Sequence, residues 1–222
     1  MSRSNRKIKH QIITGMVGSF ALLWFLRLTG AYLAPILPEA VHAPVNTAFV
    51  LSLALPPLLL MLASKDSFSE YGITLSHLSR QILLGILIGL GMASVLTLLP
   101  MSLGLEKLIY TGKTYSTVRE AIVQLVYYIF CVGLVEEFIF RGFLYHKLKE
   151  ICLSDAAPIV VSSLIFGLFH LTGINITQVL MTGLIGAFFC LCRERIPGCT
   201  ILSLAIAHGI HDWLIRVLSG IF

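Results

Sequence analysis

Long runs without any Asp, Glu, Lys or Arg divide this chain. The longest run spans residues 156–192, and the others cover 11–26, 40–64, 81–105, 121–135 and 196–211. A helix needs roughly 20 mostly apolar residues to cross the hydrocarbon core of a bilayer. Charged residues make up only 12% of the 222 residues, whereas soluble domains carry about 25%. The sequence therefore predicts an all-α integral membrane protein rather than a soluble or disordered chain.

The lengths of these runs give the number of spans. A single helix over the 37 residues of 156–192 would extend about 55 Å, too far for one crossing, and Thr172-Gly173-Ile174-Asn175 supplies turn residues near its middle. We therefore expect a bundle of about seven or eight transmembrane helices with a buried polar active site. Pro56-Pro57 should kink the second span, and an eighth, short or re-entrant helix is an alternative around 105–117. The seven predicted spans are about 11–33, 44–64, 80–103, 120–146, 156–172, 176–192 and 199–219.

The basic residues indicate the orientation, because cytoplasmic loops collect Lys and Arg. With the N-terminus in the cytoplasm, ten basic residues fall on the cytoplasmic side and three on the outer side. The ten are Arg3, Arg6, Lys7, Lys9, Lys65, Arg80, Lys147, Lys149, Arg193 and Arg195, and the three are Lys107, Lys113 and Arg119. The sequence thus predicts a multi-pass protein of the cell's inner or plasma membrane with a cytoplasmic N-terminus. The membrane also explains the net charge of +5, so no nucleic-acid partner is expected.

The N-terminal segment also resembles a signal peptide, with a basic head and an apolar stretch. That stretch runs through Arg27, however, and no small-residue cleavage site follows it, so a retained first helix is the preferred interpretation. The chain has no internal repeat and no long linker. Residues 1–222 are accordingly predicted to form a single transmembrane domain.

Ionisable residues within apolar helices are candidates for function, because burying a charge in a bilayer is costly. The first such group is Glu136-Glu137 with Arg141, in the middle of a long apolar run. Residues four apart share a helix face, so Glu137 and Arg141 should form an ion pair, whereas Glu136 points elsewhere. A carboxylate without a partner on its own helix is suited to general acid–base chemistry. We therefore assign Glu136 to chemistry and Glu137 mainly to structure.

Two further helices carry histidines in similar settings. Counted from the predicted cytoplasmic anchors at 1.5 Å per residue, Glu136, His170 and His208 lie roughly 16, 21 and 14 Å deep. Asp212 shares a face with His208 and could orient its ring. The similar depths favour one buried site.

Structural roles are the alternative for each of these residues. Glu136 could be a second structural acid, and a lone buried histidine is usually a core residue. His146 and His211 are interpreted as interfacial or structural. The five cysteines show no metal-ligand spacing and are interpreted as small apolar residues.

Together the three groups resemble the motifs of the CPBP (Abi/CAAX-protease-like) family of intramembrane proteases. These motifs are Glu-Glu-x-x-x-Arg, Phe-x-x-x-His and His-x-x-x-Asn/Asp. They stand here, in the family's order, as Glu136-Glu137…Arg141, Phe166…His170 and His208…Asp212. The resemblance covers residues 118–216, the predicted family core.

The resemblance implies hydrolysis of a peptide bond within the membrane, in a CAAX-protease-like or a bacteriocin processing or immunity role. Glu136, assisted by His170, would activate a water, and His208, held by Asp212, would stabilise the oxyanion. Glu137, Arg141 and Phe166 would support the site. Many CAAX-type members have Asn where this chain has Asp212, and a carboxylate cannot donate a hydrogen bond as an amide can. The resemblance leaves open whether the site works without a cofactor or binds a divalent metal such as zinc, for which the candidate ligands are Glu136, His170, His208 and Asp212.

The expected partners are membrane lipids and a membrane-anchored or prenylated peptide or protein substrate. Two other classes use the same residues differently. A small multi-pass transporter or channel would use them as a proton relay. A catalytically silent immunity or scaffold protein of the same fold would act by binding alone.

Overall fold

The computed structural model describes residues 3–105, 109, 114–171 and 175–218, and within them it contains helices and no strands. The helices are α1 (Arg3–Leu33), α2 (Glu39–Ser52), α3 (Leu55–Ser64), α4 (Leu78–Ser102), α5 (Val118–Ile151), α6 (Ala156–Phe169), α7 (Ile176–Arg195) and α8 (Ile201–Leu218). Five of them, α1, α4, α5, α7 and α8, are long and apolar enough to span a bilayer. The predicted all-α membrane fold is confirmed.

The remaining helices correspond to the second and fifth predicted spans. Helices α2 and α3 together are apolar and long enough for one span, and they are bent by 40° at the break between them. The break precedes Pro56 and Pro57, which lie in the first turn of α3 and lack the N–H groups that would continue α2. The expected kink is thereby confirmed. Helix α6 has only 14 residues, so it is shorter than the predicted 156–172.

Two predicted features fall at the edges of what the structure describes. The break near Thr172 is present, since α6 ends at Phe169 and α7 begins at Ile176, although residues 172–174 lie outside the described residues. Most of the alternative eighth helix at 105–117 also lies outside them.

The chain divides into two compact units. The first contains Met1–Ile73 and Val135–Pro197, and the second contains Thr74–Leu134 and Gly198–Phe222. Helix α5 contributes its first half to the second unit and its second half to the first. A single transmembrane domain over 1–222 stays a prediction.

In the first unit, α6 and α7 pack against each other and against the second half of α5. Gly167 allows α6 to approach α7 closely, because a Cβ atom there would lie 2.6 Å from the carbonyl oxygen of Val179. Two glycines of α1 allow similarly close contacts. A Cβ atom at Gly15 would lie 2.7 Å from the Phe143 ring of α5, and one at Gly18 would lie 2.8 Å from Pro56 of α3. This close packing fixes the end of α6, where His170 lies.

A charged cluster joins the loop after α3 to the end of α5 in the same unit. The Tyr71 hydroxyl donates to Asp66 Oδ2 at 2.6 Å, and Lys147 Nζ lies 3.0 Å from the same oxygen. Lys147 also pairs with Glu150 at 2.8 Å. Burial alone would raise the pKa of Asp66, but the hydrogen bonds from Tyr71 and Lys147 outweigh it and hold the pKa of that carboxyl below its ordinary value.

In the second unit, α8 packs along α4 and along the first half of α5. A Cβ atom at Gly85 would lie 2.7 Å from the carbonyl oxygen of Ser203, and one at Gly209 would lie 2.6 Å from the backbone nitrogen of Ile129. The Trp213 indole also donates to the carbonyl of Ala121 at 2.9 Å. Helix α8 is thus held on both sides, with His208 and His211 buried in the packed region.

Candidate active site

The Glu136-Glu137 pair lies in a short α-helical stretch between two π-helical stretches of α5. These stretches are Tyr128–Gly133 and Phe138–Leu144, and Leu134–Glu137 separates them. A π-helical turn accommodates an extra residue and changes the direction of the side chains that follow, and such turns are frequent at functional sites. The π-helical turns and the buried charges therefore indicate the same part of α5 as a candidate functional site.

Glu137 and Arg141 form the ion pair that their spacing predicts. Arg141 Nη1 lies 3.0 Å from Glu137 Oε1, and neither side chain is exposed. The guanidinium also lies over the ring of Phe166, 4.1 Å from its centroid, and within 5.3 Å of the centroid of Phe189. Gly186 makes room for it, since a Cβ atom there would lie 3.2 Å from Arg141 Nη2. Both charges are thus compensated inside the unit, which suits a structural pair.

Glu136 faces His170. Glu136 Oε2 lies 3.6 Å from His170 Nε2, and the two side chains are 13% and 23% exposed. This partial exposure distinguishes Glu136 from the fully buried Glu137 next to it. Glu136 is therefore the more accessible of the two adjacent acids, while its Oε2, which faces His170, is buried.

The protonation of His170 follows from its other ring nitrogen. His170 caps the C-terminus of α6, and its Nδ1 lies 3.0 Å from the carbonyl oxygen of Phe166. A carbonyl oxygen only accepts hydrogen bonds, so Nδ1 carries the proton and Nε2 of the neutral ring is an acceptor. The ring is further held by Phe166, whose centroid lies 4.7 Å away at an interplanar angle of 72°.

When the His170 ring is neutral and Glu136 is ionised, this geometry presents two acceptors to each other, the Glu136 carboxylate and His170 Nε2. Two acceptors at 3.6 Å are stabilised by a proton between them or by a water that donates to both. Such a water would contact two bases and would be readily deprotonated. The pair is thus chemically suited to activating a water nucleophile.

Phe166 lies between the Glu137–Arg141 ion pair and His170. Its ring contacts the Arg141 guanidinium on one side and the His170 ring on the other. It also packs against Phe140 with centroids 4.9 Å apart. The support role predicted for Phe166 therefore has a physical basis, since the ring links the ion pair to the histidine.

The third motif lies in the second unit, on α8. His208 Nε2 lies 3.4 Å from Asp212 Oδ2, so the carboxylate can orient the ring as the spacing predicts. His211 Nδ1 lies 3.5 Å from the other carboxylate oxygen, Oδ1. Asp212 thus stands between two imidazoles that are 8% and 6% exposed. The joint action of this group with Glu136 and His170 stays a prediction.

The contact of His211 with Asp212 is the feature of the site that sequence reasoning missed. His211 was expected to be interfacial or structural, and it is buried. Its position next to Asp212 and three residues after His208 is the signal that could have indicated the contact, because residues three apart share a helix face.

Glu136, His170, His208 and Asp212 are the candidate ligands of a metal ion. Within the described parts of the chain, no group of three or more His, Cys, Asp and Glu side chains is arranged to hold a metal.

Comparison with known proteins gives one match. Residues 118–214 match the family described as Rce1-like, type II CAAX prenyl endopeptidase Rce1-like. No curated protein and no solved structure matches the chain. The matched segment contains all three motifs and coincides closely with the predicted core of 118–216. The match confirms the resemblance that the motifs indicate and identifies the chain, through residues 118–214, as similar to the Rce1-like, CAAX-protease-like intramembrane proteases.

Proposed function

We propose that this protein is an intramembrane endopeptidase. It hydrolyses a peptide bond in a membrane-anchored or lipid-modified substrate. The match to an endopeptidase family supports the reaction class. The observation that carries the proposal is the Glu136–His170 pair, two facing bases at 3.6 Å with a fixed histidine tautomer.

The chemical step needs only these groups and a water. Glu136 accepts one proton from the water while His170 Nε2 positions it, and the oxygen forms a bond to the scissile carbonyl carbon. The resulting tetrahedral intermediate collapses, the C–N bond breaks, and Glu136 returns the proton to the departing amine. The products are a carboxylic acid and an amine, which exchange a proton to become a carboxylate and an ammonium, and Glu136 ends in its starting state.

His208 is proposed to stabilise the oxyanion of the intermediate. Asp212 Oδ2 lies 3.4 Å from Nε2 of this ring and can accept a hydrogen bond from it, so Nδ1 is the nitrogen left for the oxyanion. A charged imidazole can donate to an oxyanion, whereas the Asp212 carboxylate cannot. This role rests on the third motif and on the geometry of α8.

The substrate class follows from the family's description. The description as a prenyl endopeptidase supports a lipid-modified or membrane-anchored peptide as the proposed substrate. A bacteriocin-type precursor is the other candidate, and it rests on the resemblance of the motifs alone. The ten-to-three distribution of basic residues supports a cytoplasmic N-terminus in the cell's inner or plasma membrane.

The test is cleavage of a membrane-anchored peptide library by the purified full chain in bilayers. We expect the wild type to cleave and Glu136→Gln and His170→Ala to be inactive while inserting normally. Parallel reactions with a chelator would report metal dependence. Proton-coupled transport without cleavage would instead support the transporter class, and a biological effect retained in both variants would support the silent immunity or scaffold class.

A further inference from the structure

A groove between α1 and α2 has no role in the proposed peptide hydrolysis. It lies within the first unit and has a volume of about 580 Å³, within the range of small-molecule sites. Leu23 and Leu26 of α1 line one wall, and Phe49 and Leu53 line the other. Residues three or four apart share a helix face, so each wall is one face of its helix.

Polar residues interrupt these apolar walls. Of the described residues that line the groove, Arg27 is the formally charged one, and His42 and Asn46 are the other large polar side chains. Among the described residues, no carboxylate belongs to the lining. An ionisable residue within a membrane span marks a functional site by default, and this one faces a groove that carries positive charge.

The position of Arg27 suits a phosphate group. It lies six residues before the end of α1 at Leu33, about 9 Å along the helix axis. An arginine side chain is long enough to extend its guanidinium toward the level of the head groups while its methylenes remain in apolar surroundings. The guanidinium also binds phosphate in a bidentate manner.

The space beside Arg27 is open. Gly30, one turn further along α1, also lines the groove, and a Cβ atom there would meet nothing within 4 Å. Water is disfavoured in an apolar groove of this kind, whereas an acyl chain can lie along it. The groove therefore combines a channel for an apolar chain with one cationic group at its wall.

We propose that this groove binds an anionic phospholipid of the surrounding bilayer. One acyl chain lies along Leu23, Leu26, Phe49 and Leu53, and the phosphate contacts Arg27. The charge of the lining selects an anionic lipid over a zwitterionic one. This proposal rests on the groove alone and holds whether or not the chain is a peptidase.

The test is native mass spectrometry of the purified full chain with equal amounts of phosphatidylglycerol and phosphatidylcholine of identical acyl chains. The wild type is expected to retain phosphatidylglycerol about tenfold in preference to phosphatidylcholine, the selectivity of one charge-assisted contact. Arg27→Gln should abolish this preference and Arg27→Lys should keep most of it. Arg119→Gln, at an exposed arginine of α5, is the matched control and should behave as the wild type.

A second pair of variants tests the groove itself. Gly30→Leu should fill it and reduce retention of both lipids. Gly91→Leu, at an equally open glycine of α4, should leave retention unchanged. Equal retention of the two lipids by the wild type, or unchanged selectivity in Arg27→Gln, would overturn the proposal. So would a dimer that Gly30→Leu dissociates or a prenylated peptide that replaces both lipids, since either would identify a different occupant.

Discussion

His170 Nδ1 donates to the carbonyl of Phe166, and this contact leaves Nε2 facing Glu136 as an acceptor 3.6 Å away. The carbonyl is available because α6 ends at Phe169, so its last carbonyls have no partner within the helix. The end of a short helix thus determines which nitrogen of the candidate base can contact a water.

The contact between α6 and α7 is predicted to be intolerant of a methyl group at Gly167. A Cβ atom there would lie 2.6 Å from a backbone carbonyl, whereas one at Gly183 would lie 3.5 Å from the carbonyl of Ser163. Gly167→Ala should therefore lower the free energy of unfolding by about 1–3 kcal/mol, and Gly183→Ala should change it little. Thermal unfolding of both variants in the same detergent measures the difference. Equal stability of the two would mean that the helices can separate without cost.

Substitutions of Glu137 and Arg141, which form the buried ion pair, are predicted to have large and non-additive effects on the free energy of unfolding. Glu137→Gln leaves the Arg141 charge buried without its carboxylate and should lower the free energy of unfolding by about 3–5 kcal/mol. Arg141→Met should cost a similar amount for the converse reason. The double variant Glu137→Gln/Arg141→Met should be more stable than the sum of the single effects predicts, since it buries no charge at this position. Strict additivity in denaturation experiments would argue against the pair.

Phe166 is predicted to affect catalysis through the orientation of His170. Phe166→Leu removes the ring that contacts both His170 and Arg141 and should lower the free energy of unfolding by about 1–2 kcal/mol. A less constrained His170 should reduce kcat about tenfold with little change in KM. Phe188→Leu is the control, because Phe188 is 42% exposed on α7. A fall in kcat of the same size in both variants would contradict this role.

Asp66 is predicted to make stability depend on acidic pH. Its pKa is held below the ordinary value of 3.8, so the folded state binds the proton less readily than the unfolded chain. The resulting stabilisation is complete above the ordinary value and is lost as the pH falls through the lowered pKa. The difference in thermal stability between the wild type and Asp66→Asn should therefore be constant above about pH 5 and should shrink below pH 4. A stability difference between the wild type and Asp66→Asn that grows as the pH falls would contradict this prediction.

Part of this arrangement could be predicted from the sequence. The Glu137–Arg141 pair follows from four-residue spacing, and the break in the second span follows from Pro56-Pro57, because both depend on local geometry. The membrane class follows from uncharged runs that no soluble fold could accommodate.

Other features depend on packing that spacing does not encode. The π-helical stretches on either side of Glu136 arise from hydrogen bonds five residues apart, which apolar periodicity does not reveal. The tautomer of His170 depends on where α6 ends, three residues before the predicted boundary. The contact of His211 with Asp212 depends on both histidines being buried on one side of α8.

The role of Glu136 as the base is tested by the single-turnover rate of peptide cleavage by Glu136→Gln, measured beside the wild type in the same bilayers. Glutamine keeps the size of the side chain and removes the base, so the rate should fall by about 10³-fold or more, while unfolding temperature and membrane insertion stay the same. Glu120→Gln, at an exposed acid near the start of the same helix, should cleave at the wild-type rate. A Glu136→Gln rate within threefold of the wild type would contradict the central claim that Glu136 activates the attacking water.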